Sequence, residues 1–125
     1  MNERIKEFCP DFYDWPMRWY GVKEDIRVGE QVLECFEPFV AELLGSKLAD
    51  KTKKRHLGNL WLLGGEIVRE VSFDGSYGED IMRITRESVD DEGGPMCRHL
   101  ITDEDYRSFN STCRKLAKYF ASSIG

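Results

Sequence analysis

The chain has 125 residues, enough for one domain whose folding removes roughly two-thirds of the unfolded surface from water without a disulfide or metal staple. A content of 41% apolar and 33% charged residues excludes a disordered or membrane-embedded protein. The formal charge of −5 argues against coating nucleic acid by bulk electrostatics, yet residues 47–55 hold five bases and one acid, a local +4 against −9 elsewhere.

The first residues, Met1 to Glu7, alternate charge without an apolar stretch, so no secretory signal is expected and a cytoplasmic location with reduced thiols is. A short polar helix followed by an irregular aromatic arm is predicted over 1–20. Phe8, Phe12, Tyr13, Trp15, Trp19 and Tyr20 put six of the fifteen aromatics into thirteen residues, and Pro10 and Pro16 break any long helix there. The arm reads either as a lid over the core or as an exposed surface for a partner or for stacking bases. In the second case Phe12, Tyr13, Trp15, Trp19 and Tyr20 are the contact residues.

A first long helix is predicted over 25–44 from Val28, Val32, Phe36, Phe39 or Val40, and Leu43. Pro38 interrupts it, so a bend is expected near 35–37, and Gly45 is expected to end it as a left-handed cap. A second helix is predicted over 51–71, with Asp50 as N-cap and Leu57, Leu60, Trp61, Leu63, Ile67, Val68 and Val71 as its apolar face. Gly64-Gly65 in its middle costs about 2 kcal/mol of helix propensity, which predicts close approach of another helix or of the aromatic arm. Its longest apolar run, Leu60 to Leu63, is far short of the ~20 residues of a bilayer span.

Residues 73–78 read as a turn. A shorter helix is predicted over 79–89 with Ile81, Ile84, Thr85 and Ser88 inward; 90–95 is a loop, and Met96 to Ile101 is expected to be extended. The last helix, 103–121, has Thr102 and Asp105 in a capping-box arrangement and a stripe of Tyr106, Phe109, Cys113, Leu116 and Phe120. The expected fold is an all-α bundle of about four main helices (25–44, 51–71, 79–89, 103–121) within one domain, 1–125, whose helical core is 24–122. Phe109, Cys113, Leu116 and Phe120 should pack against Leu60, Leu63, Ile67 and the Phe36/Phe39 stripe.

Catalytic signatures do not emerge. No placed motif links the Ser, His and Asp residues, no C-x-x-C joins the cysteines at 9, 35, 97 and 113, and no glycine loop precedes a phosphate-binding lysine. Cys35 and Cys113 fall on apolar stripes as small hydrophobes, while Cys97 and His99 read as a free thiol and a surface imidazole rather than a metal site. The carboxylate pairs Glu30/Glu34 and Glu66/Glu70 read as solvated faces. A non-enzymatic protein without cofactor or metal is expected.

The basic cluster is electrostatically odd. Lys51, Lys53, Lys54 and Arg55 fall in the first turns of the second helix, where the macrodipole disfavours cations by a few tenths to about 1 kcal/mol each. With Lys47 and the hydroxyl of Thr52 they form either an ion-paired surface or a phosphate site at a helix N-terminus.

The stretch from Glu30 to Val71 resembles the core-binding, SAM-like domain of tyrosine recombinases, the phage-integrase class. Phe36 and Phe39 stand on the first helix, Leu48, Asp50 and Thr52 in the connector, and Leu60 and Leu63 on the second. The resemblance implies that Lys51, Thr52, Lys54 and Arg55 face DNA phosphate; Gly64-Gly65-Glu66 and the acidity depart from the pattern. Residues 53–69 are also similar to small proteins of bacterial mobile elements. The expected partner is DNA, through phosphate contacts at Lys47, Lys51, Thr52, Lys53, Lys54 and Arg55. The alternative is a protein-binding module, homodimer or inhibitor acting through the arm and the acidic surface; no membrane contact is expected.

Overall fold

Two long amphipathic helices organise the molecule. The computed structural model describes the chain through Ile124 and side chains through Ser122; Gly125, the end of the expected domain, lies outside the described residues. Short helices α1 (Glu3–Phe8) and α2 (Pro16–Trp19), with a 3-10 turn at Phe12–Asp14 between them, precede α3 (Asp25–Gly45) and α4 (Asp50–Asp74). Then come α5 (Ile81–Glu87) and α6 (Asp103–Ile124). The fold is all-α, and the four main helices stand where the apolar spacing predicts them.

α3 buries Val28, Val32, Phe36, Phe39, Val40 and Leu43, and it continues through Pro38 as one element. Pro38 is exposed, as is Glu34, whose carbonyl loses its donor to the proline ring. Gly45 is not the left-handed cap expected of it. It stays helical, and Ser46 ends α3 by giving both its N–H and its hydroxyl to the Leu43 carbonyl, at 3.2 and 2.7 Å. The left-handed cap belongs instead to Gly75 after α4, with φ 68°, where Ser76 N–H reaches back to the Val71 carbonyl at 3.0 Å. That closure lies beyond Phe73 and Asp74, so the expected turn at 73–78 starts two residues late.

The short 46–49 connector makes α3 and α4 a helical hairpin, against which α1, α2, α5 and α6 pack. α6 lies along α4, with Phe109, Cys113, Leu116 and Phe120 in one buried cluster with Leu60, Leu63, Ile67, Phe36 and Phe39. The Thr102 capping box forms as predicted: Asp105 N–H donates to Thr102 Oγ1 at 3.0 Å and Thr102 N–H to the Asp105 carboxylate at 3.4 Å. α5 is shorter than 79–89 because Asp80 caps it, accepting from Arg83 N–H at 3.2 Å. Ile81 and Thr85 are buried as expected, and Ile84 and Ser88 partly so.

Residues 96–101 are not extended. A turn carries them, with Leu100 N–H on the Cys97 carbonyl at 3.1 Å, and Cys97 is drawn into the core. Gly94 lies so close to α6 that a Cβ there would stand 2.5 Å from Cys113 Sγ. Among the described residues, no helix is long and apolar enough to cross a membrane.

Candidate nucleic-acid interface

α4 begins differently from the sequence-based expectation. Asp50 is its first helical residue rather than its cap; Ala49 occupies the cap position, and no side chain accepts the first N–H groups. Around this uncapped end Lys47, Lys51, Lys54 and Arg55 are exposed and Thr52 is half-buried. Lys54 Nζ sits 6.0 Å from the centre of the Phe8 ring, and Arg55 donates to Ser108 Oγ at 3.3 Å. Arg55 shares an open cleft with Glu104 and Asp105 without an ion pair. The only ion pairs within 4.0 Å among the described residues belong to Arg83, with Glu79 and Glu87.

Lys53 does not belong to this surface. It is 7% exposed, and its ammonium donates to the Leu44 carbonyl at 3.0 Å. It thereby caps the C-terminus of α3, where the helix dipole favours a cation. One of the four cations that looked misplaced at the start of α4 therefore serves the end of the preceding helix.

The aromatic arm is a lid, which removes two of its five expected contact residues from any partner. Phe12 and Trp15 are 0% and 2% exposed, their rings 4.7 Å apart, and the Trp15 indole donates to Asp11 at 3.2 Å. Tyr13 is half-buried; its hydroxyl donates to the Glu37 carboxylate and accepts from Asn2 N–H at 2.8 Å. Trp19 is a wedge. Its indole donates to the Trp61 carbonyl at 3.0 Å, and its six-membered ring occupies the notch left by Gly64. A Cβ on Gly64 would stand 2.2 Å from Trp19 Cζ2, and one on Gly29 would stand 3.1 Å from Pro16. The predicted reason for the glycine pair thus holds, with the arm as the close neighbour. Of the five expected contact residues, Tyr20, at 44%, is the one that remains well exposed.

A groove of about 480 Å³ runs between the end of α2, the outer face of α4 and the 96–101 turn. Trp19, Tyr20, Trp61 and Phe73 line it, along with Arg18 and Arg69. Trp61, placed by the spacing on the apolar face, is 41% exposed, and Phe73 is 88% exposed. Trp61 lies one residue off the buried series Leu57, Leu60, Gly64, Ile67, Val71, about 100° around the helix, and that offset was the available signal. Of the two acids that line the groove, Glu66 is half-buried and Asp25 is the more enclosed. Asp25 is buried, where its carboxylate accepts from Tyr77 at 2.6 Å, Gly21 N–H at 2.9 Å and Val22 N–H at 3.0 Å. Burial opposes its ionisation, but those hydrogen bonds outweigh it and hold the carboxyl below its ordinary range.

Between α4 and α6 lies a polar network. His56 Nδ1 is 2.7 Å from Thr112 Oγ1, and Asn59 donates to Thr112 Oγ1 at 2.8 Å and to the Ser108 carbonyl at 3.1 Å. Burial, with Arg55 and Lys115 nearby, pushes the imidazole down to about 4, so His56 is neutral at pH 7. Burial raises all four thiols, with Cys9 and Cys113 at about 12 and Cys35 at about 11, so none is poised as a thiolate nucleophile. Cys35 and Cys113 are core fillers as predicted, while His99 is exposed at the groove and separated in environment from buried Cys97. No family model, curated protein or solved structure matches the chain.

Proposed function

We propose that the protein is a non-enzymatic nucleic-acid-associated protein that holds backbone phosphate at the start of α4. One observation carries this reading: Lys47, Lys51, Lys54 and Arg55 stay exposed and free of ion pairs within 4.0 Å, in a chain with 23 acidic side chains available to neutralise them. Four cations around an uncapped helix N-terminus repel one another and oppose the dipole, and an anion relieves both. Thr52 supplies a hydroxyl donor beside them.

Duplex DNA is the first probe, in a fluorescence-anisotropy titration at several salt concentrations. Neutralisation of three or four phosphates gives a log–log slope of roughly −3 to −4. Changing Lys51, Lys54 and Arg55 together to Ala flattens the slope while leaving the fold intact, because none of the three is buried. Lys53 is left untouched because its replacement tests the fold instead. Absence of binding to any nucleic acid at ~50 mM salt, where electrostatic association is easiest to see, overturns the proposal and moves the weight to a protein partner.

A further inference from the structure

The outer face of α4 does not stop at its cationic end. Lys51 and Lys54, with Arg55 beside them, are followed on the same face by Gly58, Trp61, Gly65, Arg69 and Phe73, and the series from Lys51 through Lys54 to Phe73 runs at steps of three and four residues. A second hollow, of about 320 Å³, lies beside Lys54 and Gly58 and meets the larger groove at Trp61, which lines both. From Lys51 to Phe73 this track is roughly 33 Å long at 1.5 Å per residue.

Two features of the track have no use in the fold. Gly58 carries the helix-propensity penalty of a mid-helix glycine, yet a Cβ there would meet nothing within 4 Å, so packing does not call for it. Phe73 holds an aromatic ring almost wholly in water. Arg18 and Arg69 flank the same groove, exposed and without ion pairs, while its acids are buried or half-buried.

We propose that this track binds a single strand of nucleic acid. Bases stack on Trp61, Tyr20 and Phe73, phosphates meet Arg18 and Arg69, and the strand passes over Gly58 to the cations at the helix start. The chemistry argues for a single strand over a duplex. Unpaired bases present their faces to aromatic rings, whereas a duplex keeps those faces stacked inside and offers only base edges and phosphate. Alternating cations and rings along a track of this length suit the roughly 4–16 nucleotides over which single-strand sites extend. The inference rests on the phosphate proposal above and adds the form of the ligand.

The test compares oligothymidylate, oligouridylate and a duplex, each of about 12 nucleotides or base pairs, by anisotropy at ~50 mM salt. One or both single strands should bind more tightly than the duplex, and the tighter of the two identifies the strand chemistry. Trp61→Ala and Phe73→Ala, at exposed positions where folding is checked by circular dichroism, should each weaken the single strand about 5- to 100-fold and leave the duplex unchanged. Equal affinity for strand and duplex, or single-strand affinity indifferent to both substitutions, overturns this inference and leaves the phosphate proposal standing. No binding of any of the three probes overturns both.

Discussion

Replacing Gly64 by Ala should reverse its effect on stability according to whether Trp19 is present. In an isolated helix the change stabilises by about 1 kcal/mol, because alanine loses less backbone entropy than glycine. In this protein the new Cβ would stand 2.2 and 2.3 Å from two carbons of the Trp19 ring, where carbon atoms prefer roughly 3.5–4.0 Å. The ring cannot simply slide away. Its indole N–H is tied to the Trp61 carbonyl, Trp15 lies 5.7 Å from it ring to ring, and on its far side Gly29 admits the arm with no room to spare. Overpacking of this kind costs about 1–3 kcal/mol, and expulsion of the ring adds a lost hydrogen bond of about 1 kcal/mol. Against the helix gain, Gly64→Ala should destabilise by about 1–2 kcal/mol. In a Trp19→Ala background the same substitution should stabilise by about 0.5–1 kcal/mol, a coupling of about 2 kcal/mol between two residues 45 apart in sequence. Urea denaturation of the four proteins, followed by circular dichroism, measures the cycle. Gly65→Ala is the control: its Cβ would lie 3.3 Å from Trp19 Cδ1, a contact that a shift of a few tenths of an ångström absorbs, so its effect should stay within about 0.5 kcal/mol. If Gly64→Ala stabilises both backgrounds equally, Trp19 is not seated against α4 and the lid is misplaced.

Other expectations follow from the core and its polar groups. Leu60→Ala and Phe109→Ala, both fully buried, should each cost about 2–5 kcal/mol by denaturant titration, and a wild-type midpoint in both would refute the α4–α6 packing. Lys53→Ala should cost about 1–2 kcal/mol because it leaves the Leu44 carbonyl without its donor, while Lys51→Ala should be neutral within about 0.5 kcal/mol; equal effects would refute the capping role. His56 is neutral in the fold down to about pH 4, whereas an unfolded histidine takes up its proton near 6.5, so the unfolded state binds more protons between these values and stability falls as pH drops. The loss from this group between pH 7.5 and pH 5 should be about 2 kcal/mol, read as the difference in pH dependence between wild type and His56→Asn; identical pH profiles would show that His56 is not buried neutral.

The sequence by itself determined the four main helices, the core stripe of α6 and its capping box. Those features depend on local periodicity and on hydrogen bonds between residues three or four apart, which side-chain order alone specifies. It also foretold that something must fill the space over Gly64-Gly65, because the propensity cost was visible without the neighbour that explains it. What filled that space was a tertiary matter: Trp19 is far from Gly64 along the chain, and nothing local says which aromatic of the arm turns inward. The cationic cluster shows the same limit. Lys53 and Lys54 are adjacent and chemically identical in the sequence, yet about 100° of helix rotation sends one ammonium to the end of α3 and the other over Phe8. Trp61 and Leu60 differ by that same angle, one exposed at the groove and one in the core. Local spacing thus fixed where the helices run, whereas the groove, its buried Asp25 and its outward arginines exist only once α2, α4 and the 96–101 turn are brought together. Burial is decided by which neighbours cover a face, and those neighbours come from distant parts of the chain.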